Sequence, residues 1–171
     1  MIKKLSFILL MPFILSSCSQ KTTAEEINLE EFTTDNIHFH MGVVAAFAEV
    51  VKMDVKQIGL SEMFTTEEAD KWETVIKHIT DRNGVLYYRE DDFLVTDLFP
   101  ASLTDGLKLF VIYKGDTLEK YKALKARKAE LITQNNYDQS ARREIAIAFG
   151  GLLDYSEDVI DDLIATNGVQ N

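Results

Sequence analysis

The 171 residues hold one cysteine, three histidines, two prolines and one tryptophan. A single thiol excludes an intrachain disulfide, so stability must come from packing, which a chain of this size can supply. Three histidines leave little material for a histidine-built metal centre, which wants three or four ligands. No apolar run reaches the roughly 20 residues that a membrane-spanning helix needs. The chain has no glycine-rich phosphate loop, no dinucleotide fingerprint and no Gly-x-Ser-x-Gly elbow. Positive charge is scarce as well: 18 Lys and Arg stand against 28 Asp and Glu, a formal charge of −10. That excludes a general nucleic-acid binder, which wants a basic surface. It also argues against a domain lying flat on anionic lipid.

What is present begins at the N-terminus. Lys3 and Lys4 precede an apolar stretch over residues 5–15, followed by Ser16, Ser17 and Cys18. A charged start, an apolar middle and small residues before a cut form the secretory signal pattern. The ending Leu15-Ser16-Ser17-Cys18 resembles the lipobox of bacterial lipoproteins. The resemblance covers residues 1–18. It implies that residues 1–17 are a signal peptide removed just before Cys18, whose thiol takes a diacylglycerol while the new amino group can be acylated too. Several acyl chains, at about 0.8 kcal/mol per buried methylene, anchor a protein permanently, whereas one chain is marginal. The resemblance further implies a membrane-anchored, extracytoplasmic place in the cell envelope. Ser19 is not the aspartate that favours inner-membrane retention in enteric-type bacteria, which points to the outer membrane or cell surface. The alternative is an ordinary signal cut elsewhere, with Cys18 left in a tail.

Removing residues 1–17 takes away Lys3 and Lys4 and no acid, so the formal charge falls from −10 to −12. Residues 18–35 are polar and acidic and fit a flexible tether, whose Ile27, Leu29 and Phe32 could dock its far end. The remaining residues, 36–171, make one ordinary domain.

Within that domain, residues 41–52 are apolar almost all round, the mark of a buried helix. Residues 55–60 fit a short strand. Thr65 and Glu68 form a capping-box pattern ahead of a helical stripe of Ala69, Trp72, Val75, Ile76 and Ile79, and Asn83-Gly84 supplies the stop. Residues 85–88 and 93–99 suggest a hairpin around Glu90-Asp91-Asp92, ended by Pro100. Residues 109–113 are apolar on both faces, as a central strand should be. Asp116, Asp138 and Ser156 sit where N-caps of three further helices belong. The expected fold class is α/β (α+β): a single layered domain with a mixed sheet of about four strands, helices packed on it, and three helices at the C-terminus. The first strand is expected to pair in parallel with a later one through the Thr65 helix.

Four groups of residues suggest chemistry. His38 and His40 would face one metal together in a strand but point about 160° apart in a helix; without them no metal or other cofactor is implied. Asp97 lies in an apolar run in phase with Phe93, Val95 and Phe99. If that face is buried, its carboxylate needs a partner or a raised pKa, a catalytic candidate's situation; the plainer reading is an acid at a strand edge or end, in water. Glu49, the lone acid of its helix, is a second such candidate, or sits on the one wet face. The expected carboxyl ends of the strands bring Ser61, Glu62, Ser102, Lys114 and Thr117 into range of a ligand. Finally, residues 108–143 carry nine basic and four acidic side chains, and residues 144–171 six acidic and none basic. Lys114, Lys122, Lys125 and Lys128 are therefore candidates for an anionic ligand or protein partner, against the plainer reading of a solvated face.

Two readings of function follow. One is a non-enzymatic lipoprotein that binds a ligand or protein at the membrane it is tethered to. The other is a small tethered enzyme, a metal-assisted or carboxylate-based hydrolase using Asp97, Glu49 or the His38 and His40 pair.

Overall fold

The computed structural model describes residues 36–99, 102 and 106–168. The expected signal peptide, Cys18, the tether with Ile27, Leu29 and Phe32, and Pro100 lie outside the described residues. In chain order the elements are α1 (Asn36–Lys52), β1 (Ile58–Leu60), α2 (Thr66–Asn83), β2 (Leu86–Glu90), β3 (Leu109–Tyr113), α3 (Thr117–Thr133), α4 (Gln139–Leu152) and α5 (Glu157–Asn167). The fold is mixed α and β. Among the described residues no helix is long and apolar enough to cross a membrane.

Local chemistry accounts for several boundaries. Thr65 Oγ1 accepts from the Glu68 N–H at 3.2 Å, and the Glu68 carboxylate accepts from the Thr65 N–H at 2.9 Å, so the capping box closes in both directions. Those bonds hold the Glu68 carboxyl below its ordinary value. Gly84 ends α2 at φ 70°, a left-handed conformation open to a residue without Cβ. Asp138 caps α4 by accepting from the Ala141 N–H at 2.9 Å. Asp116 and Ser156 occupy N-cap positions, but neither side chain makes a capping bond. At α3 the turn is closed instead by Thr117, whose Oγ1 donates to the Lys114 carbonyl at 2.9 Å.

Three strands form the sheet, in the order β1-β3-β2, and both pairings are antiparallel. Ile58 and Leu86 both lie opposite Tyr113, while Leu60 and Tyr88 both lie opposite Val111. The expected mixed sheet and parallel pairing are corrected by this topology. β3, apolar on both faces, takes the centre and uses both sides of its ladder. β1 and β2 therefore run parallel to each other, joined through α2, with β3 between them.

The expected fourth strand, 93–99, is an irregular segment. Phe93 and Leu94 are buried in succession, and so are Thr96, Asp97 and Leu98. Central β3 is also buried in succession, so it is burial without strand pairing that marks this segment as tucked into the core. β2 pairs with β3 rather than with this segment.

The sheet separates two apolar layers. On one side Leu109 and Val111 meet Leu118, Tyr121 and Leu131 of α3, Ile145, Phe149 and Leu152 of α4, and Ile160 of α5. On the other, Phe110 and Ile112 meet Val44, Ala48 and Val51 of α1 and Ala69, Ile76 and Ile79 of α2. Each of the Val, Leu, Ile and Phe side chains contributes about 1.5–3 kcal/mol when fully buried. Only one stripe of α1 is buried, because Gly42, Ala46 and Glu49 face outward, so it is less enclosed than its composition suggests. Gly150 of α4 receives Ile160: a Cβ there would come within 2.6 Å of the isoleucine side chain.

Candidate functional site

The basic helix is best built from its spacing. Lys122, Lys125 and Lys128 stand three apart, and each reaches a different point on the strip from Tyr88 to Val95. Lys122 lies over the Tyr88 ring, 5.1 Å from its centroid, and donates to Glu119 at 3.5 Å. Lys125 donates to Glu90 Oε1 at 2.9 Å and to the Asp92 carbonyl. Lys128 donates to the Val95 carbonyl at 2.6 Å and lies 5.4 Å from the centroid of Tyr137. Burial pushes the Lys128 ammonium below its ordinary pKa. Two of the three lysines are thus turned toward the protein. They supply the irregular segment with the hydrogen bonds that a strand ladder would otherwise give.

The same segment is held at further points. Tyr121 accepts from the Leu94 N–H at 3.2 Å, and Asn167 donates to the Leu98 carbonyl at 2.9 Å. Burial, and then the Glu90 carboxylate nearby, push the Tyr121 hydroxyl well above its ordinary pKa. Glu90 itself is 2% exposed. Its Oε1 also accepts from the Asp92 N–H at 2.9 Å, while its Oε2 is buried without a hydrogen-bond partner.

Asp97 is buried, together with its out-of-phase neighbours Thr96 and Leu98, and its partner is Arg142. The guanidinium contacts both carboxylate oxygens, from Nε to Oδ2 at 3.2 Å and from Nη2 to Oδ1 at 2.5 Å. That two-point pair holds Arg142 above its ordinary pKa. Around it Tyr137, Gln139, Arg143 and Ile164 line a cleft of about 530 Å³. Arg143 is paired with Asp161 at 2.5 Å. Glu49 is exposed beside a shallow groove between α1 and α2.

His38 and His40 lie in α1, so they diverge as helical spacing requires. His38 is exposed. The His40 Nδ1 is hydrogen-bonded to Glu62 Oε2, and its ring packs edge-on against Phe64 and Trp72. Among the described residues no three His, Cys, Asp or Glu side chains gather as a metal site would need. Lys114 donates to both carboxylate oxygens of Asp54 at 2.8 Å and to the Lys52 carbonyl at 3.2 Å, fastening the end of α1. Ser61 Oγ donates to the Glu62 carbonyl at 2.7 Å and accepts from the Phe110 N–H at 2.9 Å, extending the β1–β3 pairing past its last residue. Ser102 is exposed.

Sequence reasoning missed an apolar cavity of about 270 Å³ beside β1. Buried Ile58, Phe93, Leu109 and Leu153 form its inner wall, and half-buried Phe47, Leu60, Met63, Phe99 and Tyr155 its outer wall. Lys56 and Ser61 are the polar side chains on it. The volume is near the lower end of ligand pockets, which run to about 300–1,000 Å³. These residues come from six separate stretches of chain, so no local pattern announces the cavity. No family model, curated protein or solved structure matches the chain.

Proposed function

We propose that the protein is a lipid-anchored, extracytoplasmic binding module, held at the outer membrane or cell surface through Cys18, that takes a small ligand in the cavity beside β1. The observation that carries the binding reading is the cavity itself: a mostly apolar wall with very few polar groups, the usual composition of a small-molecule site. The anchor rests on the Leu15-Ser16-Ser17-Cys18 ending. The alternative, a small tethered hydrolase, draws less from the geometry. Asp97 is engaged at both oxygens by Arg142, and His38 and His40 diverge on their helix. The sequence expectation of an anionic ligand is kept, but the cation that serves it differs, because Lys125 and Lys128 serve the irregular segment.

The test is fluorescence of N-phenyl-1-naphthylamine, an apolar probe that brightens out of water. The purified protein should brighten it saturably, and Met63→Trp, which fills the cavity, should abolish that response without loss of folding. A response that survives Met63→Trp would place the probe elsewhere and remove the support for the cavity.

A further inference from the structure

We propose that the cavity beside β1 takes a small carboxylic acid with an apolar body, its carboxylate held by the Lys56 ammonium; this rests on the cavity being a ligand site. Arg89, Lys108, Lys125 and Arg142 each hold a carboxylate. Among the described residues two half-buried cations, Lys56 and Lys128, hold no carboxylate, and of the two it is Lys56 that lines the cavity. Its ammonium donates to the Leu153 carbonyl at 2.5 Å and stands 5.0 Å from the centroid of the Tyr155 ring. An ammonium has three donors, so this arrangement leaves capacity for an acceptor arriving from the cavity.

The neighbouring polar groups have other work. Ser61 Oγ both donates and accepts within the protein, so it is not open to orient a ligand. Asp154, the acid next to Leu153, accepts from the Gln57 N–H at 2.5 Å. That bond and the one from Gln57 Nε2 to the Gly151 carbonyl at 3.0 Å hold this end of β1 to α4 without Lys56. The lysine is thus placed by its surroundings at the edge of an apolar wall formed by Ile58, Leu109 and Leu153. A ligand that matches both features has an apolar body and one negative end. The small volume favours a short acid over a long-chain lipid.

The experiment titrates the purified protein at neutral pH with octanoate and with octanol, which share a body and differ in the head. A charge-assisted hydrogen bond to Lys56 should make octanoate bind about tenfold tighter. Lys56→Gln should bring octanoate down to the affinity of octanol, and Lys56→Arg should keep the preference. Equal affinities in the unaltered protein would overturn the acid inference while leaving the cavity as a site. Binding of neither compound would overturn the cavity reading as well. Because the unaltered protein decides between these outcomes, a Lys56 variant that fails to fold does not shelter the proposal.

Discussion

The two faces of the sheet solve the same problem differently. Over Phe110 and Ile112, two regular helices cover the strands, and each satisfies its own backbone. The ion pairs within α2 lie outside, Lys71 with Glu67 and Lys77 with Asp81, one helical turn apart and open to water. Over Leu109 and Val111, the irregular segment 93–99 and the turn before it are part of the cover, and they bring an N–H, carbonyls and a carboxylate that no strand ladder pairs. Lys125, Lys128, Tyr121, Arg142 and Asn167 meet those groups from α3, α4 and α5. The same residue types are therefore decoration on one face and structural on the other. What separates them is burial, since a buried polar group without a partner is costly and an exposed pair is nearly neutral.

The largest effect should follow from Lys125→Ala. It leaves the buried Glu90 side chain with no cation, which should cost about 3 kcal/mol, the lower end for breaking a buried pair because Lys125 itself is only half-buried. Denaturant unfolding measures it. Asp97→Ala comes next, at about 2 kcal/mol, because it strips Arg142 of a two-point partner. A near-neutral Asp97→Ala would show that this pair ornaments the cleft rather than fastening the segment.

Tyr121→Phe should cost about 1 kcal/mol at neutral pH, by leaving the Leu94 N–H unpartnered. Its pH dependence sharpens the test. The folded-state pKa of Tyr121 is raised above the ordinary value near 10, so its contribution is fully present below pH 10 and is lost as pH rises beyond that. Tyr121→Phe should therefore flatten the alkaline fall in stability, and an unchanged alkaline limb would contradict the burial assigned to the hydroxyl. The smallest effect belongs to the other face: Lys71→Ala should leave the melting temperature unchanged. A loss there comparable to that of Lys125→Ala would erase the contrast between the faces.

The contrast also marks how far the sequence could be read. Where a signal is local, it was legible. Thr65 with Glu68, Gly84, and Asp138 all act over three or four residues, and the doubly apolar run 109–113 is the central strand. The segment 93–99 defeated the same reasoning because its alternation of apolar residues resembles a strand, while the carbonyls of Val95 and of Asp92 just before it are met by lysines 33 residues further on. Nothing local distinguishes a lysine that faces water from one that reaches inward, so Lys125 and Lys128 looked like a free cationic surface. Asp97 is buried although the strand that its phase assumed is absent, and its partner, 45 residues away, left no local signal. Lys56, which stands in no charge cluster, carried no signal at all.

Lys125 and Lys128 of α3 act inside the protein, as fasteners of the irregular segment. The most direct test is a double-mutant cycle on Lys125→Met and Glu90→Gln, measured by denaturant unfolding. The account predicts a coupling of about 2 kcal/mol, with the double variant recovering much of what Lys125→Met alone loses. A coupling below about 0.5 kcal/mol, the range in which independent sites simply add, would contradict it and return Lys125 to the solvated surface.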